Sequence, residues 1–231
     1  MFSRYSLTTD NEKIKERFGI DATEAYKPKY NAGPTQLLPI ITNEQPDGFS
    51  FFYWGATEKM ANNKAVSPKL FNAFELELSI KASYRNALKS RRCLIPVDGY
   101  YEWKRISKKG RTPYYIFIEN HEPFCVAGIW DEYEDEEGSA HIFRAITTKG
   151  NSLISAADIP MPAILAREDE KKWLDDDMEV PDLLKLVSTY PAGKMGQHSV
   201  SPRVNDVKVD HPDLIKHVPP ADQFGNYALF S

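Results

Sequence analysis

The sequence predicts an α+β fold, one domain built around a predominantly antiparallel, barrel-like sheet with peripheral helices. Three observations carry that reading. The chain has 231 residues, long for one domain and short for two. Its apolar share is 42%, and 12 Phe, 12 Tyr and 4 Trp can furnish a large core. Between Arg92 and Thr147, strand-like runs follow one another with hairpin-length links, which favours antiparallel pairing over crossovers. No repeat, low-complexity tract or linker interrupts residues 1–231, so a single domain is expected.

Asp10 to Gly19 reads as a short helix: Asp10 can cap it, Ile14 and Phe18 share a face, and Gly19 can end it. Gln36–Thr42 and Phe49–Trp54 are strand-like and are separated by the turn-forming Gln45-Pro46-Asp47-Gly48. Ile80–Lys89 carries good helix formers. Strands are expected at Arg92–Val97, Tyr100–Lys104, Tyr114–Ile118, Phe124–Trp130 and His141–Thr147. Helices are expected at Asn151–Ala157 and Arg167–Leu174, around the short run Met161–Leu165, and again at Pro181–Ser188. The last thirty or so residues read as an irregular wrap.

Composition narrows the function classes. No run approaches the roughly 20 apolar residues needed to span a bilayer, and Met1-Phe2-Ser3-Arg4-Tyr5 lacks the apolar stretch of a signal peptide. A cytoplasmic protein is expected, with Cys93 and Cys125 as reduced, buried thiols in apolar strands. The formal net charge of −4 argues against a generic nucleic-acid binder. That average hides a basic stretch from Lys81 to Arg111 and an acidic one from Glu119 to Glu137, which fit either a phosphate-binding face or plain solvated surface. The five histidines and two cysteines lack zinc spacing, and no phosphate-cradling or nucleophile-elbow motif occurs, so neither metal nor cofactor is expected.

One run is distinctive: Arg91-Arg92-Cys93-Leu94-Ile95-Pro96-Val97-Asp98-Gly99-Tyr100-Tyr101-Glu102-Trp103-Lys104. With Arg4-Tyr5-Ser6-Leu7, Tyr30-Asn31-Ala32-Gly33-Pro34-Thr35-Gln36, Trp54-Gly55, Phe71-Asn72-Ala73, Ala127-Gly128-Ile129-Trp130, Thr147-Thr148, Met161-Pro162-Ala163-Ile164-Leu165 and Val200-Ser201-Pro202-Arg203-Val204-Asn205, it forms an ordered set over nearly the whole chain. This set resembles the SRAP family, the SOS-response-associated peptidases or abasic-site-processing proteins. The resemblance implies an α+β, SRAP-like domain acting on single-stranded DNA. In the family, a cysteine at position 2 becomes the N-terminus and captures the ring-opened aldehyde of an abasic site as a thiazolidine. An Asn, a Glu and a His assist, and an Arg holds phosphate.

Here the resemblance retains Asn72 and Glu102 and substitutes the other positions. Position 2 is Phe2, which has no nucleophilic atom. The phosphate-holding Arg is replaced by Phe74, and an ungapped match puts Asp158 at the His position and Pro160 at a second Arg. Because Phe2 is large, Met1 is expected to stay. Arg4, Pro34, Trp54, Phe74 and Thr148 are the positions the resemblance sets against DNA. Trp54 also reads as an ordinary core residue, and Arg4 as a surface ion pair. Alternation puts Glu102 on one face with Tyr100 and Lys104, either as a general acid–base group or as an ion-paired Glu. Phe2, Asn72, Phe74, Glu102 and Asp158 are expected to line one cavity, with Phe2 packed near Phe74. The leading function is a diverged SRAP protein that binds single-stranded DNA, or another ligand, without thiazolidine chemistry. The alternatives are an active crosslinking, lyase or peptidase enzyme, if Phe2 is not the natural residue, and an interaction protein with no DNA role.

Overall fold

The computed structural model describes residues 2–57, 60, 67–105, 110–135, 138–154 and 159–220. The strands in chain order are β1 (Tyr5–Leu7), β2 (Lys29–Ala32), β3 (Leu37–Thr42), β4 (Ser50–Trp54), β5 (Asn72–Phe74), β6 (Arg92–Val97), β7 (Gly99–Arg105), β8 (Arg111–Ile118), β9 (Phe124–Asp135), β10 (Gly138–Thr148), β11 (Met161–Pro162) and β12 (Met195–Ser199). The helices are α1 (Asn11–Phe18), the single turns α2 (Pro68–Phe71) and α3 (Glu75–Leu78), then α4 (Ala82–Ser90), α5 (Arg167–Leu174) and α6 (Val180–Leu186). α1 begins and ends where its chemistry dictates. The Asp10 carboxylate accepts from the Lys13 amide at 2.9 Å, and Gly19 takes the left-handed conformation at φ 75°.

Two sheets organise the strands. The first is antiparallel throughout, in the order β12-β8-β7-β1-β2. In the second, β10 pairs β4, β4 pairs β3, β3 pairs β6, β6 pairs β9, and β9 returns to β10. That circuit closes a five-stranded barrel, and its one parallel seam is β4–β10, where Ile142 faces Tyr53 and Phe143 faces Trp54. Farther along β10, β5 adds in parallel on one edge and β11 antiparallel on the other. The architecture is the mainly antiparallel, barrel-containing α+β fold expected. At the start of the expected helix Asn151–Ala157 the structure corrects the expectation: Ser152–Ile154 is a 3-10 turn, with the Asn151 side chain accepting from the Leu153 amide, while the rest of that stretch, 155–157, lies outside the described residues. The strands β1, β2, β5 and β12, unexpected from sequence, are short pieces whose partners lie far away in the chain.

Strand alternation gives the first sheet two unlike faces. Tyr5, Tyr100 and Ile116 turn inward to the main core, with Phe2, Trp54 and the barrel side chains Ile40, Ile95 and Phe143. Tyr101 and Tyr115 turn outward to a second cluster with Val200, Val204 and Leu214 from the C-terminal wrap. Asn31 Nδ2 and the Asp210 carboxylate clip that wrap to β2: Asn31 donates to the carbonyls of Val204, Asp206 and Val209, and Asp210 accepts from the Tyr30 and Asn31 amides. Among the described residues no helix is long and apolar enough to cross a membrane.

Candidate functional site

The site grows from the start of β1. Phe2 has no exposed surface, and its ring centroid lies 5.1 Å from Trp54, 5.8 Å from Tyr100 and 5.9 Å from Tyr5. The register that sets Tyr5 opposite Tyr100 delivers this nest, because both rings then share the inward face. Asn72, where α2 passes into β5, donates from Nδ2 to the Phe2 carbonyl at 2.7 Å. One residue earlier, the Phe71 carbonyl accepts from the Trp54 indole at 2.8 Å. Gly55 makes that approach possible: it sits at φ 80°, and a Cβ there would lie 2.5 Å from Phe71 Cβ. The segment leading into β1 is therefore held at residue 2 by an aromatic cage and an amide clamp.

Polar groups border the cage. The Tyr5 and Tyr100 hydroxyls and Asn72 Oδ1 are buried without a hydrogen-bond partner among the described residues. Glu102 is 5% exposed and shares the inward face of β7 with Tyr100 and Lys104. Burial pushes the Tyr100 phenol well up, and the Glu102 charge pushes it further. The half-buried Lys104 amine is pulled down by burial, with Glu102 opposing, and donates to the Leu153 carbonyl at 2.6 Å. On the other side, Arg4 donates from Nη1 to the Ser3 carbonyl at 2.8 Å and lies flat on Gly33, where a Cβ would meet Nη1 at 2.8 Å. Arg4 is lowered by burial and has no carboxylate partner among the described residues. Beside it the half-buried Pro34 leads into Thr35 at φ 72°, a conformation that costs a β-branched residue on the order of 1–3 kcal/mol. The Thr35 amide donates to the Trp54 carbonyl at 2.9 Å and anchors this turn to β4.

The structure brings Phe2, Asn72, Trp54 and Tyr100 together, with Glu102 next along β7. It separates the expected Phe2–Phe74 pair. Phe74 is half-buried opposite Thr147, about 7 Å along β5 from Asn72, and is not among the rings that Phe2 meets. Trp54, expected against unstacked bases, has no exposed surface and belongs to the core, ringed by Phe2, Tyr5, Phe71 and Phe143. Thr148 is also fully buried, with its hydroxyl on the Lys149 carbonyl. Of the positions expected against DNA, Arg4, Pro34 and Phe74 keep open surface, all half-buried. Asp158 lies outside the described residues. Cys93 is buried and its thiol is pushed far up, so it offers no replacement nucleophile. Among the described residues no group of three or more His, Cys, Asp or Glu is placed to hold a metal ion. Sequence reading missed Tyr5 and Phe71 as cage members; the cross-strand register that recruits them leaves no local signal.

A small closed barrel flanked by an antiparallel sheet, with the segment before β1 clamped at residue 2 beside a buried Glu, defines the fold class to which this chain belongs. The chain belongs to the SOS response associated peptidase (SRAP) family, whose sequence model matches residues 1–207. It is 35% identical over 222 residues to the abasic site processing protein YoqW of Bacillus subtilis (strain 168), covering 94% of this chain and 99% of YoqW. It is 28% identical to the abasic site processing protein HMCES of Gallus gallus, covering 82% of this chain and 66% of HMCES. A crystal structure of a protein from Bacteroides thetaiotaomicron superposes with a TM-score of 0.78 at 25% identity, covering 93% of this chain and 98% of that one.

Proposed function

We propose that this chain binds abasic sites in single-stranded DNA without forming the family's thiazolidine. One observation carries the reading. The side chain at position 2 is a phenyl ring, sealed in an aromatic cage with its carbonyl clamped by Asn72. A phenyl ring has no lone pair to attack an aldehyde. The relatives' names supply the abasic site, and the half-buried Arg4 guanidinium, without a carboxylate partner among the described residues, supports a phosphate contact. With Phe74 where the family holds phosphate, that contact is weak, and affinity rests on few charges.

The test is a single-stranded oligonucleotide with one abasic site, incubated with protein, heated in denaturant and resolved by size. No shifted band is expected. Anisotropy of the same oligonucleotide should show binding that weakens with salt, with a log–log slope of about −0.7 to −1.4, as for one or two phosphate contacts. A heat-resistant band that disappears when the abasic site is replaced by a normal nucleotide overturns the proposal, as does the absence of binding at low salt.

A further inference from the structure

The inward face of β7 presents Tyr100, Glu102 and Lys104 in a row, opposite Ile116, Tyr114 and Thr112 of β8. Same-face neighbours on a strand are about 7 Å apart, within the reach of a lysine side chain toward a carboxylate. The row starts at Tyr100, against which the Phe2 ring packs, and Lys104 is the amine of β7 on the same face, two places farther along. We propose that the ε-amine of Lys104, with Glu102 as its proton-transfer partner, captures the ring-opened aldehyde of a bound abasic site as a reversible imine. This rests on the reading that the chain binds abasic single-stranded DNA.

Lys104 is placed for this as Lys81 and Lys172 are not. Its Nζ is fixed by the Leu153 carbonyl at 2.6 Å and lies 5.0 Å from the Tyr114 ring centroid. Fixing the amine lowers the entropy cost of attack. Partial burial pulls it toward the neutral, nucleophilic form, as in other lysines that attack carbonyls. Lys81 and Lys172, tied to Glu77 and Asp169, are moved the opposite way. Glu102 stands between Tyr100 and Lys104 on the same face of β7, so its carboxylate is the group of that face placed to relay protons beside the amine.

The step balances without an oxidant or reductant. The neutral amine nitrogen bonds to the aldehyde carbon, and the Glu102 carboxylate relays one N–H proton from nitrogen to the former carbonyl oxygen, giving a carbinolamine. The second N–H proton follows by the same relay, the hydroxyl leaves as water, and the C–O bond gives way to C=N. Hydrolysis reverses the sequence and returns the free amine, so the imine does not survive heat.

The test adds sodium cyanoborohydride to protein and abasic single-stranded oligonucleotide at about pH 8, where hydride converts the imine to a stable secondary amine. Trapped product is read on a denaturing gel, mapped by mass spectrometry and divided by the fraction bound in anisotropy. Lys104→Arg and Lys104→Gln, each checked for the native near-ultraviolet circular dichroism, are expected to lose at least tenfold of the trapping per bound complex. Glu102→Gln is expected to slow trapping about a hundredfold while leaving the adduct on Lys104. An adduct on the Met1 amine or another lysine, undiminished in both Lys104 variants, overturns the proposal. So does bound DNA that yields no adduct, with binding itself untouched. Failure to bind abasic DNA overturns both this proposal and the reading beneath it.

Discussion

At the scale of single residues, Phe2 and Asn72 exchange the roles their chemistry suggests. The amide, polar and able to meet a ligand, spends its donor on the Phe2 carbonyl, and the phenyl ring fills space that a core side chain would fill. Phe2→Ala is expected to destabilise the fold by about 3 kcal/mol, the usual cost of truncating a buried phenylalanine, read from the urea midpoint. Asn72→Ala should cost about 1–2 kcal/mol by leaving that carbonyl unpaired, with faster amide exchange at the start of β1. Burial drives the Cys93 and Cys125 thiols up. Both are expected to resist a thiol reagent in native buffer and to react at once in denaturant; rapid native labelling would contradict the burial. Sequence alone made Phe2, Asn72 and Glu102 visible, through the resemblance, because their motifs are contiguous. The core role of Trp54 was only one of two readings, since an indole's exposure is decided by rings from three other segments.

At the scale of elements, Arg92 shows how far local reading can mislead. In sequence it belongs to a basic stretch that suggests a phosphate-binding surface. In the fold its guanidinium has no exposed surface and joins the C-terminal ends of two helices. It donates to the Leu88 and Lys89 carbonyls at the end of α4, to the Trp173 and Asp175 carbonyls at the end of α5, and to the Asp176 carboxylate. Helix C-termini carry partial negative charge and orphan carbonyls, and a planar five-donor fork can serve both ends at once. Arg92→Lys keeps the charge but not the fork, so it is expected to cost at least about 3 kcal/mol in chemical denaturation. Its neighbour Arg91 makes a part-exposed pair with Asp131, and Arg91→Ala should move the midpoint by no more than about 1 kcal/mol. The strands of the signature run were legible because β6 and β7 are continuous apolar or alternating stretches. The three-residue strands β1 and β5 were not, because they exist only by pairing with distant partners.

At the scale of the whole molecule, the two cores carry an unusual load of phenols. Burial is the first cause that raises Tyr5, Tyr26, Tyr100, Tyr101 and Tyr115 above the ordinary tyrosine value, so each stays neutral in the folded state. A raised folded pKa means that the native state holds its proton where the unfolded chain, titrating near 10, has released it. Stability from these groups is therefore complete below about pH 10 and is lost as pH rises beyond it. Alkaline titration by ultraviolet absorbance should show an early, gradual group of tyrosines and a late group that ionises cooperatively with loss of structure. A single smooth titration of all twelve would contradict the burial.

The barrel's parallel seam sets an order of events for reaching that structure. The β9–β10 hairpin joins residues a few positions apart, whereas β4 and β10 meet through residues 53 and 142. Bringing those ends together costs chain entropy before any contact offsets it, so closure belongs late on the folding route. Weakening the seam at Tyr53 or Ile142 should leave the refolding rate nearly unchanged and speed unfolding. The seam is in that sense a latch, and the lifetime of the native state, more than the rate of its formation, is set there.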